Sequence, residues 1–455
     1  MAWIGHGASA LAGTTALSIL AALAPSPTLA QTAPPAPRAV AGPLAFPGAV
    51  GYGAAAKGGR GGQVIIVNKL ADSGPGSLRA CIDASGPRVC VFQVSGVIRF
   101  TTRPPVIRNP YLTIAGQTAP GAGITLAHGG GSVGYTPLLI KNTQDIVVRY
   151  IRVRNDRIGA NRESEDSITI EHSDNVILDH VSASWARDEL INGYADNDRI
   201  TISNSIFAEG IPTHDKCALL ASDPVDAQRL TFAGNVCAHN GDRNPDLNFP
   251  RGSCVEVVNN VFYNAASEFA EIWESFGGTP VALIGNSFIG GANTSRSTVA
   301  IARNLTGSIG PAKVYLWDNA FSGPMVQVSP LVAPVQVAGP PCIPTFAATS
   351  AATAYQTVLR GAGTLPRDNF DARIVSDVRN RTGAIVKQPG VIPAPNVTGK
   401  AYPDVDRDGM DDRWEASHGM NPKLFDAWGD ANGDGILNLD AWLDELHRRL
   451  MSLTL

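Results

Sequence analysis

Between about Ile114 and Phe321 one short pattern recurs: an apolar or β-branched run, an asparagine or aspartate, then another apolar residue. It reads Ile202-Ser203-Asn204-Ser205-Ile206-Phe207, Phe232-Ala233-Gly234-Asn235-Val236, Val258-Asn259-Asn260-Val261-Phe262, Leu283-Ile284-Gly285-Asn286-Ser287-Phe288 and Leu316-Trp317-Asp318-Asn319-Ala320-Phe321, at intervals of roughly 25 to 33 residues. Short strands at a loose period that tolerates inserted loops fit a solenoid, in which each coil pairs only with its neighbours. Coils of a parallel β-helix stack about 4.8 Å apart, so equivalent residues of successive coils become neighbours. Asparagines at one corner can then hydrogen-bond amide to amide down the stack. Asparagine also marks turns on its own, but its recurrence at one place in the motif favours a ladder.

Composition agrees with an all-β body. Gly 47 and Pro 32 in 455 residues are high for a helical protein, and helical periodicity is scarce before the last fifty residues. Lys+Arg 36 against Asp+Glu 40 gives a net charge of only −4, which suggests neither nucleic acid nor an anionic membrane as partner. The apolar run Leu11 to Ala24 is too short to span a bilayer and is followed by a small-residue cut after Thr28-Leu29-Ala30. Residues 1–30 are therefore expected to be a secretory signal; no Lys or Arg precedes the run, which leaves a buried or interfacial helix as the other reading. Residues 31–43, rich in Ala and Pro, are expected to be a disordered leader. Residues 44–395 are expected to form a parallel β-helix whose open end is capped by Gly51 to Phe100, with a helix from Ser77 to Ala84. A Pro/Ala-rich stretch and a helix-like Tyr355 to Arg360 follow Phe321, and 400–455 form an acidic terminal module. The six cysteines (Cys81, Cys90, Cys217, Cys237, Cys254, Cys342) match no zinc spacing; an exported chain allows disulfides, and Cys81 and Cys90 could close a short loop, with buried thiols as the alternative. A secreted monomer is expected.

Further motifs follow in order: Gly58-Gly59-Arg60-Gly61-Gly62, Asp72-Ser73-Gly74-Pro75-Gly76-Ser77-Leu78-Arg79, Val94-Ser95-Gly96, Ile177-Leu178-Asp179-His180, Ser184-Trp185-Ala186, Arg243-Asn244-Pro245 and Leu365-Pro366-Arg367-Asp368. On these motifs the chain resembles the pectate lyases of polysaccharide lyase family 1 over most of its mature length. The resemblance implies a right-handed parallel β-helix and a Ca2+-dependent β-elimination of polygalacturonate, an acidic polysaccharide, to 4,5-unsaturated oligogalacturonates. The chemistry is coherent: breaking C4–O4 by elimination requires removal of the weakly acidic C5 proton beside a carboxylate, and a bridging calcium offsets that charge.

The resemblance also assigns residues. Asp166, in Asp166-Ser167-Ile168-Thr169-Ile170, matches a first metal carboxylate, Asp188 a second, and Asn192 a third that is usually acidic, with Glu189 an adjacent candidate. A single Asp at a strand start reads equally as a turn cap; the two in this order favour ligands. Ser164 stands where some relatives carry another Asp, and Glu163 and Glu165 are the neighbours that could compensate. Lys216, in His214-Asp215-Lys216, matches a lysine that holds the sugar carboxylate, although alone it would read as a solvated surface lysine. Arg243 matches the Brønsted base. Arginine is almost always protonated, so calcium, Lys216 and local dehydration would have to favour a transient neutral guanidine; an arginine that only clamps a carboxylate is the other reading. Asp246 and Asn248 stand where relatives often have basic residues, and Arg251 is expected to replace the missing substrate clamp. Asp179 and His180 are expected to be structural, at a coil corner.

In the terminal module Asp404, Asp406, Asp408, Asp412 and Glu415 occupy positions 1, 3, 5, 9 and 12 of a loop with Gly409 at 6, the spacing of a calcium loop. A second copy, Asp430, Asn432, Asp434, Gly435 and Asn438, has Ala441 at its twelfth position. Both are expected to tie down the module without a catalytic part, a solvated acidic loop being the alternative. An inverting polygalacturonase on the same scaffold would need clustered aspartates near Gly-His-Gly and Arg-Ile-Lys; the second string is absent and the first occurs only at Gly5-His6-Gly7. A pectin lyase acting on methylated substrate without metal is disfavoured by the carboxylates. A non-catalytic secreted β-helix that binds acidic glycans is the remaining alternative, because fold does not fix function.

Overall fold

From Gln144 on, each coil passes from its first strand to its second through a left-handed residue. A strand of four to six residues buries alternate β-branched or apolar side chains, a single residue of positive φ bends the chain, a short second strand follows, and a loop of variable length leads to a third. The bending residue is Tyr150, His180, Asn204, Gly234, Asn259, Gly285 and Asp318 in successive coils, with φ between 49° and 68°, and Asn, Asp and Gly recur there because they tolerate that conformation best. In the computed structural model, which describes residues 31–40, 42–130, 136–157 and 165–454, the coils stack into three parallel sheets. Sheet I has ten strands, from Gln63–Val67 to Lys313–Trp317. Sheet II has nine, from Gly96–Phe100 to Ala320–Ser322, and sheet III nine, from Val106–Ile107 to Val326–Val328. The expected signal at 1–30 lies outside the described residues, as do Glu163 and Ser164.

The interior is a column of inward-facing pairs such as Ile146 and Val148, Val176 and Leu178, Ile200 and Ile202, and Leu230 and Phe232. Phe262, Phe288 and Phe321 stack one per coil at 5.0 and 5.4 Å. Each such side chain contributes about 1.5–3 kcal/mol by leaving water.

The asparagine ladder runs through Asn235, Asn260, Asn286 and Asn319. Asn260 and Asn286 each donate from Nδ2 to the next Oδ1 at 3.0 Å, and the Asn235 N–H donates to Asn260 Oδ1 at 2.9 Å. Their amides also donate to the strand carbonyls of Ile202, Phe232, Val257 and Leu283, satisfying buried corner groups. Asn204 does not join. It is the left-handed corner itself, one residue too early, and its amide donates to Asp179 at 2.9 Å, while Ser205 takes the ladder position below Asn235.

The helix Leu78–Asp83, capped by Ser77, closes the open end of the solenoid with Leu78, Cys81 and Ile82 in the core. Within the stretch expected to be a disordered leader, the Thr32 N–H donates to Ala338 O at 2.9 Å, Thr32 O accepts from the Tyr315 hydroxyl at 2.6 Å, and the Arg38 N–H donates to Pro344 O at 2.7 Å. The Pro/Ala-rich stretch that follows the last coil supplies free carbonyls that pair with this leader. Helices Ala351–Gly361 and Asn369–Asn380 cover sheet II through Val358, Leu359, Phe370 and Ile374. Helices Asp412–Ser417 and Asn438–Ser452 lie on the first strands of sheet I, packing Trp414, Leu439 and Trp442 against Val89, Val91 and Ala115. All six cysteines are paired, as Cys81–Cys90, Cys217–Cys237 and Cys254–Cys342. Among the described residues no helix is long and apolar enough to cross a membrane.

Candidate metal and catalytic site

Sheet III brings together side chains that lie far apart in sequence. Glu189 is in register with Lys216, and Lys216 bridges to Asp242. The Ser167 N–H donates to Glu189 O at 3.1 Å, which sets Asp166 one coil before Glu189. Asp166, Glu189, Lys216 and Asp242 therefore stand in file across four successive coils.

Asp166, Asp188 and Glu189 converge, with one oxygen of each within 4.8 Å of the others. Asp166 accepts from Thr169 Oγ1 at 2.7 Å, from the Glu189 N–H at 3.2 Å and from Asn192 Nδ2 at 3.0 Å. Burial, together with Asp188, pushes the Asp166 carboxyl up to about 7. Burial, together with Asp188 and Asp166, pushes Glu189 up to about 9. Like charges packed this closely in a buried pocket resist ionisation unless a cation balances them, and an all-oxygen, acidic donor set fits a hard divalent ion such as calcium. Asn192, expected to offer a ligand oxygen, turns its Nδ2 to Asp166, and its Oδ1 accepts from the Tyr194 N–H at 2.9 Å; an amide beside a carboxylate satisfies it as donor. Glu165 does not compensate either. It points inward, 3.0 Å from His128 Nδ1 and 3.1 Å from Arg187 Nη1, and so fixes the backbone next to both Asp166 and Asp188.

Arg243 directly follows Asp242, with φ 50° and its side chain 30% exposed. It forms an ion pair with Glu189 and lies 3.4 Å from Asp246 through Nε. Burial works against its charge, but Glu189 and Asp246 outweigh it and hold the guanidinium above its ordinary pKa. Lys216 is paired with Asp242. Beyond them lies a second acidic group that motif spacing did not reveal: Asp242, Glu268 and Glu271 also converge within 4.8 Å. Glu271 is in register with Asp246 and accepts from Trp273 Nε1 at 3.1 Å. Burial and then Asp242 push Glu271 up to about 7, and burial and then Glu271 raise Asp246 well above the usual carboxylate range. Asn248 bonds to Ser275 Oγ at 2.9 Å, and the exposed Arg251 lies in the following turn with its guanidinium against Gly310. Asp179 accepts from Arg149, His180, Ser203 and Asn204 on sheet I, a structural corner.

In the terminal module Asp404, Asp406 and Asp408 converge, and Asp408 also converges with Glu415 and Asp426. Both carboxylate oxygens of the buried Glu415 lack a hydrogen-bond partner. Burial and then Asp408 raise Glu415 to about 8, which fits a cation between them. Asp426 lies outside the loop spacing and was not found from sequence. Asp412 accepts from the Val405 N–H at 2.9 Å and closes the loop. The second loop satisfies itself: Asp430 accepts from the Gly433 and Gly435 N–H groups, Asn432 donates to Asp434 Oδ2 at 2.9 Å, and Asn438 accepts from the Ala431 N–H and donates to Asp426 O.

No family model matches the chain. It is 32% identical over 423 residues to a probable pectate lyase C of Aspergillus fumigatus, with 90% of this chain and 95% of that protein covered. It is 34% identical over 420 residues to a probable pectate lyase C of Emericella nidulans, covering 89% of this chain and 93% of the other. Among solved structures, jun a 1, the major allergen from cedar pollen, superposes with a TM-score of 0.51 at 20% identity over 70% of this chain and 93% of its own, a likeness of fold.

Proposed function

The chain belongs to the pectate lyase family, and from that premise we propose that it cleaves polygalacturonate by calcium-dependent β-elimination, leaving a 4,5-unsaturated galacturonate at the new non-reducing end. Three carboxylates, Lys216 and Arg243 along one face of sheet III carry this assignment. Asp166, Asp188 and Glu189 would hold calcium, which would supply the positive charge that makes C5–H beside a carboxylate more acidic. Lys216, three donors on a flexible stem, holds the sugar carboxylate once it leaves Asp242. Arg243 takes the C5 proton. Its present pairing with Glu189 and Asp246 favours the charged form, so the neutral guanidine is reached only after those charges are engaged elsewhere. The C5–H and C4–O4 bonds break, C4=C5 forms, and the departing O4 gains a proton from water.

We place the enzyme outside the cytoplasm, because its cysteines are all paired and disulfides persist in oxidising compartments. Asp404, Asp406, Asp408, Glu415 and the newly found Asp426 are assigned to structural calcium. Incubation with polygalacturonate tests the reaction: an absorbance rise from unsaturated uronate is expected, abolished by chelator and restored by added calcium. Release of reducing ends without that absorbance would mean hydrolysis and overturn the assignment.

A further inference from the structure

We propose that the buried Glu165–Arg187 ion pair positions the two carboxylates next to it in sequence, Asp166 and Asp188, and thereby sets the affinity of the site for calcium; this rests on Asp166, Asp188 and Glu189 being the metal site. Glu165 and Arg187 are 1% and 8% exposed. Arg187 Nη1 lies 3.1 Å from Glu165 Oε2, and the Arg187 N–H donates to Glu165 O at 3.0 Å, so side chains and backbones clasp the same two residues. Asp166 directly follows Glu165, and Asp188 directly follows Arg187. Both carboxylates stand just ahead of the strands Ile168–Glu171 and Glu189–Asn192, where the regular ladder of sheet III has not begun. The clasp does there what the ladder does further on: it ties one coil to the next.

Further contacts hold the Glu165 half. Its Oε1 lies 3.0 Å from Nδ1 of His128, whose Nε2 lies 3.2 Å from Asp156 O. His128 ends the strand Ile124–His128 of sheet II, so the carboxylate is held from the neighbouring sheet as well. Asn155 Nδ2 donates to Asp166 O at 3.0 Å and its Oδ1 accepts from Ser167 Oγ at 2.8 Å, which holds the backbone of Asp166. A buried ion pair adds little net stability, because desolvation of both charges offsets their attraction; what it fixes is geometry. A site of converging like charges needs that, since Asp166, Asp188 and Glu189 hold oxygens within 4.8 Å of one another against their own repulsion. Positioning and plain charge make opposite statements about Arg187. As a cation close to the site it would repel calcium, so charge alone predicts that removing it tightens binding and that removing Glu165 weakens it. Positioning predicts that both removals weaken it.

Calcium affinity is measured by isothermal titration on the full chain carrying Asp408→Ala, which removes the carboxylate shared by both acidic groups of the terminal loop, and the reaction rate is followed against calcium in parallel. Glu165→Gln, Arg187→Gln and the double variant, each checked by circular dichroism, are expected to bind calcium about tenfold or more weakly than that parent, the double variant no weaker than the weaker single, with turnover recovering at saturating calcium. The double variant leaves no unpaired buried charge and so guards against loss of the fold. Arg187→Lys, which keeps a cation for the one Glu165 oxygen, should restore most of the lost affinity. Tighter calcium binding in Arg187→Gln, or parent affinity in folded variants that show only a lower melting temperature, would overturn the inference. If Asp166→Ala loses the calcium while the Glu165 and Arg187 variants keep it, this inference alone fails; if Asp166→Ala keeps parent affinity, the metal site fails and the inference with it. Affinity that weakens as expected in a chain that forms no unsaturated uronate leaves the positioning standing and removes the assigned reaction.

Discussion

As the proposed base, Arg243 would face opposed demands: its ion pairs keep it charged, while abstraction of a carbon-bound proton would need it neutral. Arg243→Lys keeps a cation but loses the planar fork that meets Glu189 and Asp246 together. The fold should survive, and initial rates should fall by roughly a hundredfold or more, the scale of a lost general base; circular dichroism and rates are measured together, and near-normal turnover would remove Arg243 from the proton transfer. Asp166→Ala deletes a carboxylate that organises Thr169, Asn192 and the Glu189 backbone and is the proposed calcium ligand. The calcium concentration for half-maximal rate is expected to rise by about tenfold or more, with Asp188→Ala moving the same way. A midpoint unmoved in both variants would put the metal elsewhere. That Asp166, Asp188, Lys216 and Arg243 would lie near one another was legible because each sits in a short motif. The roles of Asn192 and Glu165 were not, since spacing places a residue on a strand but does not say which atom it turns to a neighbour.

At the scale of elements, the sheet I strands and their corners were readable because apolar alternation and a left-handed residue recur together. The short strands of sheet III, such as Lys216–Leu219 and Asp246–Leu247, were not, because loops of variable length separate them and polar residues open them. That is also why Asp242, Glu268 and Glu271 escaped notice. The helix Asn438–Ser452 was placed in the terminal module, but its seat could not be read from sequence. It sets His447 Nδ1 against the Tyr150 hydroxyl at 2.6 Å and Arg149 at 3.3 Å, with the His180 ring 5.3 Å away and Asp179, Asp444 and Arg448 near. Burial, then Arg149 and His180, push His447 down to about 4. The folded ring stays neutral where the unfolded one, with a pKa of about 6.5, takes up a proton. Stability is therefore whole above about 6.5 and is lost as pH falls from there toward 4. Hydrogen exchange across residues 438–452 should quicken over that window in the parent and less in His447→Gln. Identical pH profiles would show that another group governs the docking.

Across the whole molecule, the outer faces of two sheets are covered with apolar contacts and the third carries the carboxylates. Sheet II is covered by two helices, and sheet I by the terminal module, by the segment around Ala45 to Ala56, and by Val337 to Ala348. A solenoid with an end module was foreseeable from the repeat and the acidic loop; which strands the module would cover was not, because its partners Val64, Val89 and Val91 look like any other strand residues. The module is held by the Arg60–Asp440 ion pair at 2.6 Å and by Trp428 Nε1 donating to Gly62 O at 2.9 Å, so its acidic loop bears on the first coils and not on sheet III. Asp408 belongs to both acidic groups of the loop, and its loss should disable both. A cation bound only by the folded module stabilises it by an amount that grows with free calcium. Asp408→Ala is therefore expected to lower the melting temperature and to expose the chain to protease near Tyr402 at calcium concentrations that protect the parent, while turnover per folded molecule stays nearly unchanged. Limited proteolysis with mass mapping, run beside the polygalacturonate assay, separates the two roles. If turnover vanished while the tail stayed protected, the loop would belong to the reaction, and the division between a structural calcium on sheet I and a catalytic one on sheet III would fail.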